Sequence, residues 1–392
     1  MGSISGSALA ASPPATRGEF LKRLSAQELP FTPITPPATT DTLQVLVSLN
    51  RQIMQVYAGD RKIGSSSIST GKPGKETPHG IFSVISKHEF RWSNLYLREP
   101  MPFMQRLTWS GIALHAGELP GYPASHGCVR MPEMFAKQLF RLETADRHVV
   151  IAGDPVPPVM VSHASLPKSA GEPGEAKHAA LSSEERDGET GKVTDTSAVA
   201  KPALRILLTR LTGREKMANA QKILNKLGFK AGRADGYVGR KTWRAIFEFQ
   251  KSVGVEEPDG DLTDATYDLI RNAKGADQYP DGRLYVRQRQ RPVFDVAIAL
   301  KDPDKPLGNH LLTMPHLKQD GGPEWLSVSL DDKNPNAGLD AFLRFTLPDD
   351  VRSRIEDRLG PHSSIAISDA GLGRETGKGT DFVVVTHNPA NH

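Results

Sequence analysis

The single cysteine of this chain, Cys128, stands in the run Tyr122-Pro123-Ala124-Ser125-His126-Gly127-Cys128-Val129-Arg130-Met131, shortly after Ile112-Ala113-Leu114-His115-Ala116-Gly117. A thiol attacks a carbonyl carbon only as thiolate, so it needs a nearby base or a positive field. His115, at the end of an apolar strand expected over 112–114, supplies a base. A helix expected to begin at Pro132 places free backbone N–H groups close behind Cys128, where they lower a thiol pKa and can hold an oxyanion. Gly127 lets the backbone approach a substrate closely. Arg130 brings a permanent charge, for a substrate carboxylate or for positioning the loop. In isolation, a cysteine and a histidine are more often a small buried hydrophobe and a structural imidazole. The surrounding sequence tips the balance here.

The elements that must position these residues read as an antiparallel β unit. Residues 1–40, rich in Pro, Ser, Ala and Thr, have the composition of a disordered tether, and the folded unit is expected over 41–153. Leu43–Leu49 and Ile53–Tyr57 read as strands around an Asn50-Arg51 turn, followed by strands at 63–69 and 81–86. Phe135, Leu139 and Leu142 recur at helical spacing, and Val149-Val150-Ile151 closes the unit. Residues 154–203 lack aromatics and read as a flexible linker. Beyond it, Ile223, Leu224 and Leu227, then Trp243, Ile246 and Phe247, mark a small helical unit over 212–273. Strands at 293–300, 364–368 and 382–386 mark a last, β-rich region over 283–387. Gly371-Leu372-Gly373-Arg374-Glu375-Thr376-Gly377-Lys378-Gly379-Thr380 fails the spacing of a phosphate loop and reads as a glycine-rich hairpin loop.

Length and composition agree with several bodies. The 392 residues exceed one ordinary domain of about 100–200 residues. No apolar run approaches the roughly 18 residues that span a bilayer, so no transmembrane segment is expected. The net charge of +4, spread along the chain, excludes the concentrated basic footprint of a nucleic-acid binder. One cysteine excludes an intrachain disulfide and a cysteine-based zinc site, and neither metal nor organic cofactor is required by the chemistry.

The segment LHAGELPGYPASHGCVRM resembles the signature of YkuD-type L,D-transpeptidases, and Thr77-Pro78-His79-Gly80 resembles that family's upstream TP-x-G segment. The resemblance covers about residues 43–152. It implies a β-sandwich-like catalytic domain within a multidomain α+β chain, with Cys128 as nucleophile, His115 as base, and Ser125, His126, Gly127 and Arg130 framing the catalytic loop. It also implies acyl transfer from a tetrapeptide stem of peptidoglycan, with release of D-Ala, to an amine. That amine belongs to another stem or to an envelope protein; water gives an L,D-carboxypeptidase, and a decayed site leaves a non-catalytic anchoring protein. Residues 214–272 resemble the three-helix PG-binding-1 type of peptidoglycan-binding domain, through Ala220–Phe229, Ala234-Asp235-Gly236-Tyr237-Val238-Gly239, Thr242, Ala245, Phe249-Gln250 and Asp259-Gly260-Asp261-Leu262. Together these imply a periplasmic or envelope location. No secretory signal is evident, although Ala8-Leu9-Ala10 has the form of a cleavage site. Pro306-Leu307-Gly308-Asn309-His310 echoes Thr77–Phe82, which marks 283–387 as a candidate degenerate copy of the catalytic fold.

Overall fold

The computed structural model describes residues 31–38, 41–93, 99–142, 147–169, 201–273, 280–315, 324–330, 332–377 and 379–387. The first ten strands are β1 (Phe31–Thr32), β2 (Leu43–Ser48), β3 (Ile53–Ala58), β4 (Arg61–Ser67), β5 (His79–Ser83), β6 (Ser86–Trp92), β7 (Pro100–Arg106), β8 (Ala113–Ala116), β9 (Val129–Met131) and β10 (His148–Ala152). Helix α1 (Glu133–Arg141) follows Pro132, whose fixed φ suits a helix start. Strands β6-β7-β8-β9 form a small sheet that packs on one face of the larger one.

The second half contains β11 (Val159–Ser162), β12 (Leu204–Arg210), α2 (Gly213–Lys226), α3 (Arg240–Ser252), α4 (Asp264–Arg271), β13 (Gly282–Gln288), β14 (Arg291–Leu300), β15 (Asn309–Thr313), β16 (Glu324–Ser329), α5 (Ala337–Phe342), β17 (Phe345–Thr346), α6 (Asp349–Glu356) and β18 (Ser364–Ser368). Its sheet runs β11-β16-β15-β18-β12-β13-β14-β17. The chain then returns to the first half as β19 (Val384–His387), completing the sheet β1-β4-β3-β2-β10-β5-β19.

The two large sheets share a core connectivity. In the first, β2, β3 and β4 form an antiparallel meander, and β10 inserts parallel to β2 and antiparallel to β5. In the second, β12, β13 and β14 form the meander, and β18 inserts parallel to β12 and antiparallel to β15. Val150 lies between Leu46 and Ile81, and Ala366 between Leu207 and Leu311. These six side chains meet in one cluster, so the sheets pack face to face. The opposite faces close two separate cores, one around Val45, Val149 and Leu139, the other around Ile206, Ile365 and Ile355.

Helices α2, α3 and α4 sit between β12 and β13, where the first sheet has only a tight turn. Their core joins Ile223, Leu224, Ile246, Phe249 and Ile270. The Asp235-Gly236 and Asp259-Gly260 pairs make turns with φ of +80° and +74° at glycine. The helices are tied to the sheet beneath: Glu215 accepts from Tyr285 Oη at 3.1 Å, and Arg271 pairs with Asp304 at 2.6 Å.

Several expected boundaries change. Phe31 and Thr32, inside the expected tether, already pair with β4, and Phe31 packs edge-on against Phe135. Within the expected linker, Val159–Ser162 pairs with β16, and Val161 and Leu166 are core residues. The helical unit is an insertion in that sheet, not a body standing alone behind a linker. The second sheet starts at β11 and β12, well before 283, and β19, expected in the last region, belongs to the first sheet. Each difference is a pairing between residues far apart in sequence, which local periodicity does not register. Residues 1–30 of the tether, 170–200 of the linker and the Ala8-Leu9-Ala10 site lie outside the described residues. Among the described residues no helix is long and apolar enough to cross a membrane.

His148 faces the second sheet from β10, 4% exposed, and neither ring nitrogen has a hydrogen-bond partner among the described residues. Burial, reinforced by the nearby Arg205 guanidinium, holds its pKa well below the ordinary value of 6.5. In the unfolded chain this imidazole takes a proton below about pH 6.5, whereas in the folded chain it does not, so folding stability is lost as the pH falls below that value. Chemical denaturation as a function of pH should show this acid slope. His148→Leu should reduce it by about 1.4 kcal/mol per pH unit, one proton's contribution, and an unaltered slope would remove His148 as its source.

Candidate active site

Strands β8 and β9 run parallel with Leu114 opposite Val129 and His115 opposite Arg130. Because side chains alternate across a strand, Leu114, Ala116, Val129 and Met131 enter the first core. Ala113, His115, Cys128 and Arg130 are thereby placed on the other face, where Cys128 packs with Met101, Met104 and Ala113. His115 is 3% exposed, and Cys128 is half-buried with its sulfur turned inward. The His115 Nδ1 lies 2.8 Å from the Ala116 carbonyl oxygen. A carbonyl only accepts, so Nδ1 carries the proton and Nε2 is left with a free lone pair.

The sulfur donates weakly to the Gly111 carbonyl at 3.6 Å. Burial pushes the Cys128 thiol up to about 11; the Ala113 N–H works against this, Glu99 adds to it, and the Arg130 and Arg106 guanidinium groups oppose it. Burial also lowers His115 to about 4; its Ala116 hydrogen bond opposes the shift and the Arg130 charge adds to it. The thiol and the imidazole, on the same strand face, are therefore both held neutral at rest. This departs from the thiolate-favouring environment expected from a helix start. Strand β9 separates Cys128 from α1, so the helix N-terminus does not reach the sulfur.

The catalytic loop is framed by hydrogen bonds. Ser125 Oγ donates to the Cys128 carbonyl at 2.6 Å and accepts from Gly127 N at 3.1 Å. Thr77 Oγ1 donates to the Gly127 carbonyl at 2.9 Å and accepts from Gly71 N at 2.9 Å. Gly127 has φ of +110°, which favours glycine, and a Cβ there would press on the movable Cδ1 end of Ile112 at 2.9 Å. Arg130 is ion-paired with Glu99, and its stem packs against Gly117. The pairing makes Arg130 a brace for the loop. His126 belongs to the same loop.

The structure thus brings Cys128, His115, Ser125, Gly127 and Arg130 together. Glu99 and Arg106 had no motif to announce them. Thr77 was signalled only through the TP-x-G segment. Of the aromatic residues in the excursion between β5 and β8, Trp109 is exposed with Arg106 over its ring, Trp92 is exposed against Phe90, and Phe103 is buried against Phe140. Tyr96 lies outside the described residues.

With the geometry in place, the chain can be compared with known proteins. Residues 43–157 match the model of the YkuD family, the L,D-transpeptidase catalytic domain. Residues 213–270 match the model described as "Putative peptidoglycan binding domain". Among curated proteins, none matches significantly. Solved structures similar to this chain include L,D-transpeptidases from Mycobacterium tuberculosis H37Rv (20% identity, TM-score 0.27, covering 28% of this chain and 57% of that one), Stackebrandtia nassauensis (21%, 0.27, 34% and 64%) and Xylanimonas cellulosilytica (25%, 0.26, 29% and 62%). Each match takes in less than two thirds of the other chain, and the scores are too low to bear on mechanism. The two family matches together with the sheets described above give a mixed α+β chain with an L,D-transpeptidase-type domain and a peptidoglycan-binding-type domain.

A buried neutral thiol has a distinct reactivity. The rate of Cys128 alkylation by iodoacetamide should climb about tenfold per pH unit through pH 8 to 10 and level off only near 11, because the anion is the reactive form. A plateau already at neutral pH would mean that a thiolate–imidazolium pair exists at rest.

Proposed function

We propose that residues 43–157 carry out cysteine acyl transfer on peptidoglycan stem peptides, as an L,D-transpeptidase. The observation that supports this most is the fixed tautomer of His115: its Nδ1 proton is held by Ala116, so Nε2 is the basic nitrogen on the strand face that also carries Cys128. In this reading the thiol proton passes to Nε2 as the sulfur attacks the carbonyl of the third residue of a tetrapeptide stem. The tetrahedral intermediate collapses with expulsion of the terminal D-Ala, whose amine takes the proton back from Nε2. A thioester remains. An acceptor amine then attacks the thioester, gives its proton to Nε2, and the thiol is restored as sulfur leaves.

The neutral resting pair fits such a cycle, because charge separates only when a carbonyl is present to receive the sulfur. The Gly127 amide is engaged by Ser125 Oγ, so other donors of the loop must hold the oxyanion. The helical insertion would keep the enzyme on its polymer and raise the local concentration of stems. Both assignments place the protein's work at the cell envelope. The second sheet fits a degenerate, non-catalytic copy of the catalytic fold: Arg344 precedes β17 and Pro348 at the same interval by which Cys128 precedes β9 and Pro132. Its guanidinium donates to the carbonyls of Lys301, Asp302, Lys305 and Pro306.

Sacculi rich in tetrapeptide stems, incubated with the protein or with Cys128→Ala and then digested for mass spectrometry, test the reading. New 3→3 dimers made only by the unsubstituted protein are expected. Tripeptides alone would assign water as acceptor. Unchanged muropeptides despite binding to sacculi would leave an anchoring protein in place of an enzyme.

A further inference from the structure

The last described segment of the chain crosses from the second sheet to the active site. After β18, it forms the glycine-rich loop and then β19, which pairs with β5. In that loop Glu375 accepts two hydrogen bonds from consecutive backbone amides, Trp109 N to Oε2 at 2.8 Å and Ser110 N to Oε1 at 3.1 Å. A carboxylate bridging two successive N–H groups makes charge-assisted bonds and fixes the orientation of the peptide units that donate them.

The peptide units so fixed lie directly before those that touch the nucleophile. The turn between β7 and β8 is closed by Ile112 N donating to Thr108 Oγ1 at 2.9 Å, and Gly111 occupies it with φ of +114°. From this turn, the Gly111 carbonyl accepts from the Cys128 thiol, the Ala113 N–H faces the same sulfur, and the Ile112 side chain packs where a Cβ on Gly127 would lie. Moving the turn therefore alters three contacts of the nucleophile and its loop at once. Glu375 is itself held by its surroundings: Thr380 Oγ1 donates to the Glu375 carbonyl at 3.1 Å, Val383 N donates to Thr376 Oγ1 at 3.0 Å, and Val383 is fully buried in the first core.

We infer that Glu375 is a positioning residue for the catalytic thiol, acting through the Trp109–Gly111 turn, and that the C-terminal segment is a working part of the active site. The inference rests on Cys128 being the nucleophile. Glu375 touches neither the reacting atoms nor a substrate; it sets where the sulfur sits relative to His115.

The test uses the full chain with Glu375→Ala and Glu375→Gln. Two properties are read after circular dichroism has confirmed folding: the pH profile of Cys128 alkylation by iodoacetamide, unambiguous because the chain has one cysteine, and kcat and KM on tetrapeptide stems. In Glu375→Ala the released turn admits water to the sulfur. The alkylation inflection should then fall by about one pH unit, with several-fold faster labelling at neutral pH. At the same time kcat should drop roughly 10- to 100-fold with KM within about twofold, since misplacement of a reacting group is costly. Glu375→Gln retains one accepting oxygen and should be intermediate, and it carries the test if the alanine variant does not fold. An alkylation profile superimposable on that of the unsubstituted protein in a folded variant overturns the inference, even if turnover falls. If no form of the protein, including the unsubstituted one, turns over stems, the acyl-transfer reading fails separately, and a shifted alkylation profile still upholds the positioning role.

Discussion

The contact between the two large sheets constrains most of this structure. Strands β2, β10 and β18 are buried along their whole length, and β12 along all but its last residue. One face of each closes its own core, and the other meets the opposite sheet. Fully burying an aliphatic side chain such as Leu46, Val150 or Leu207 stabilises by about 1.5–3 kcal/mol, which must outweigh the cost of the orphaned polar atoms on Gln44, Ser83 and His148 in the same layer. Two doubly buried strands paired in parallel cannot be joined by a hairpin; they need a long crossover. In the first half that crossover runs from β3 to α1, and every residue assigned to the catalytic loop lies on it.

The second half solves the same problem with different contents. Its crossover from β12 to β18 carries the three-helix insertion directly after β12, then the meander, then β17 and α6. The doubly buried strands repeat, while the connections diverge. Where the first crossover leaves a thiol on a strand face, the second has Arg344, four of whose N–H bonds are directed at carbonyls of the 301–306 segment. A guanidinium is not a nucleophile, and this one braces the 301–306 segment. The second sheet therefore contributes burial, a platform for the helical insertion, and the segment that returns to the first sheet.

How much of this was legible in the sequence depended on whether the signal was local. Cys128, His115 and the Ser125–Arg130 loop could be singled out as a candidate site because their residue types and spacing sit within one stretch. Leu43–Ser48 and His148–Ala152 were legible as strands because burial on both faces makes them continuous apolar runs. The three helices were legible from their apolar stripes. Val159–Ser162 was not, because a four-residue edge strand with only Val161 fully inward carries almost no pattern. Phe31–Thr32 was hidden by proline-rich surroundings. Glu99 and Glu375 are ordinary surface-type residues in sequence; only the pairing of distant segments brings one to Arg130 and the other to the Trp109–Ser110 amides. The raised Cys128 pKa has a related origin: the helix that follows the cysteine in sequence is set off from it in space by β9.

A buried, protonated thiol is protected from oxidation, which bears on the proposed role of the chain's only cysteine. With the thiol near 11, roughly one molecule in 10⁴ carries the thiolate at neutral pH. Oxidation follows thiolate character and exposure, so both routes are suppressed together. The same burial that protects the sulfur also removes His115 from competition with water, keeping its Nε2 unprotonated down to about pH 4. Reactivity then cannot come from a standing ion pair; it has to be created when an electrophilic carbonyl enters and the developing charges find partners inside the site. That requirement makes the exact placement of the sulfur matter more than its acidity. It gives a physical reason for the contacts from Thr77, Ser125 and Gly111 that converge on a loop only a few residues long, and for the hold that Glu375 keeps on the turn carrying Gly111.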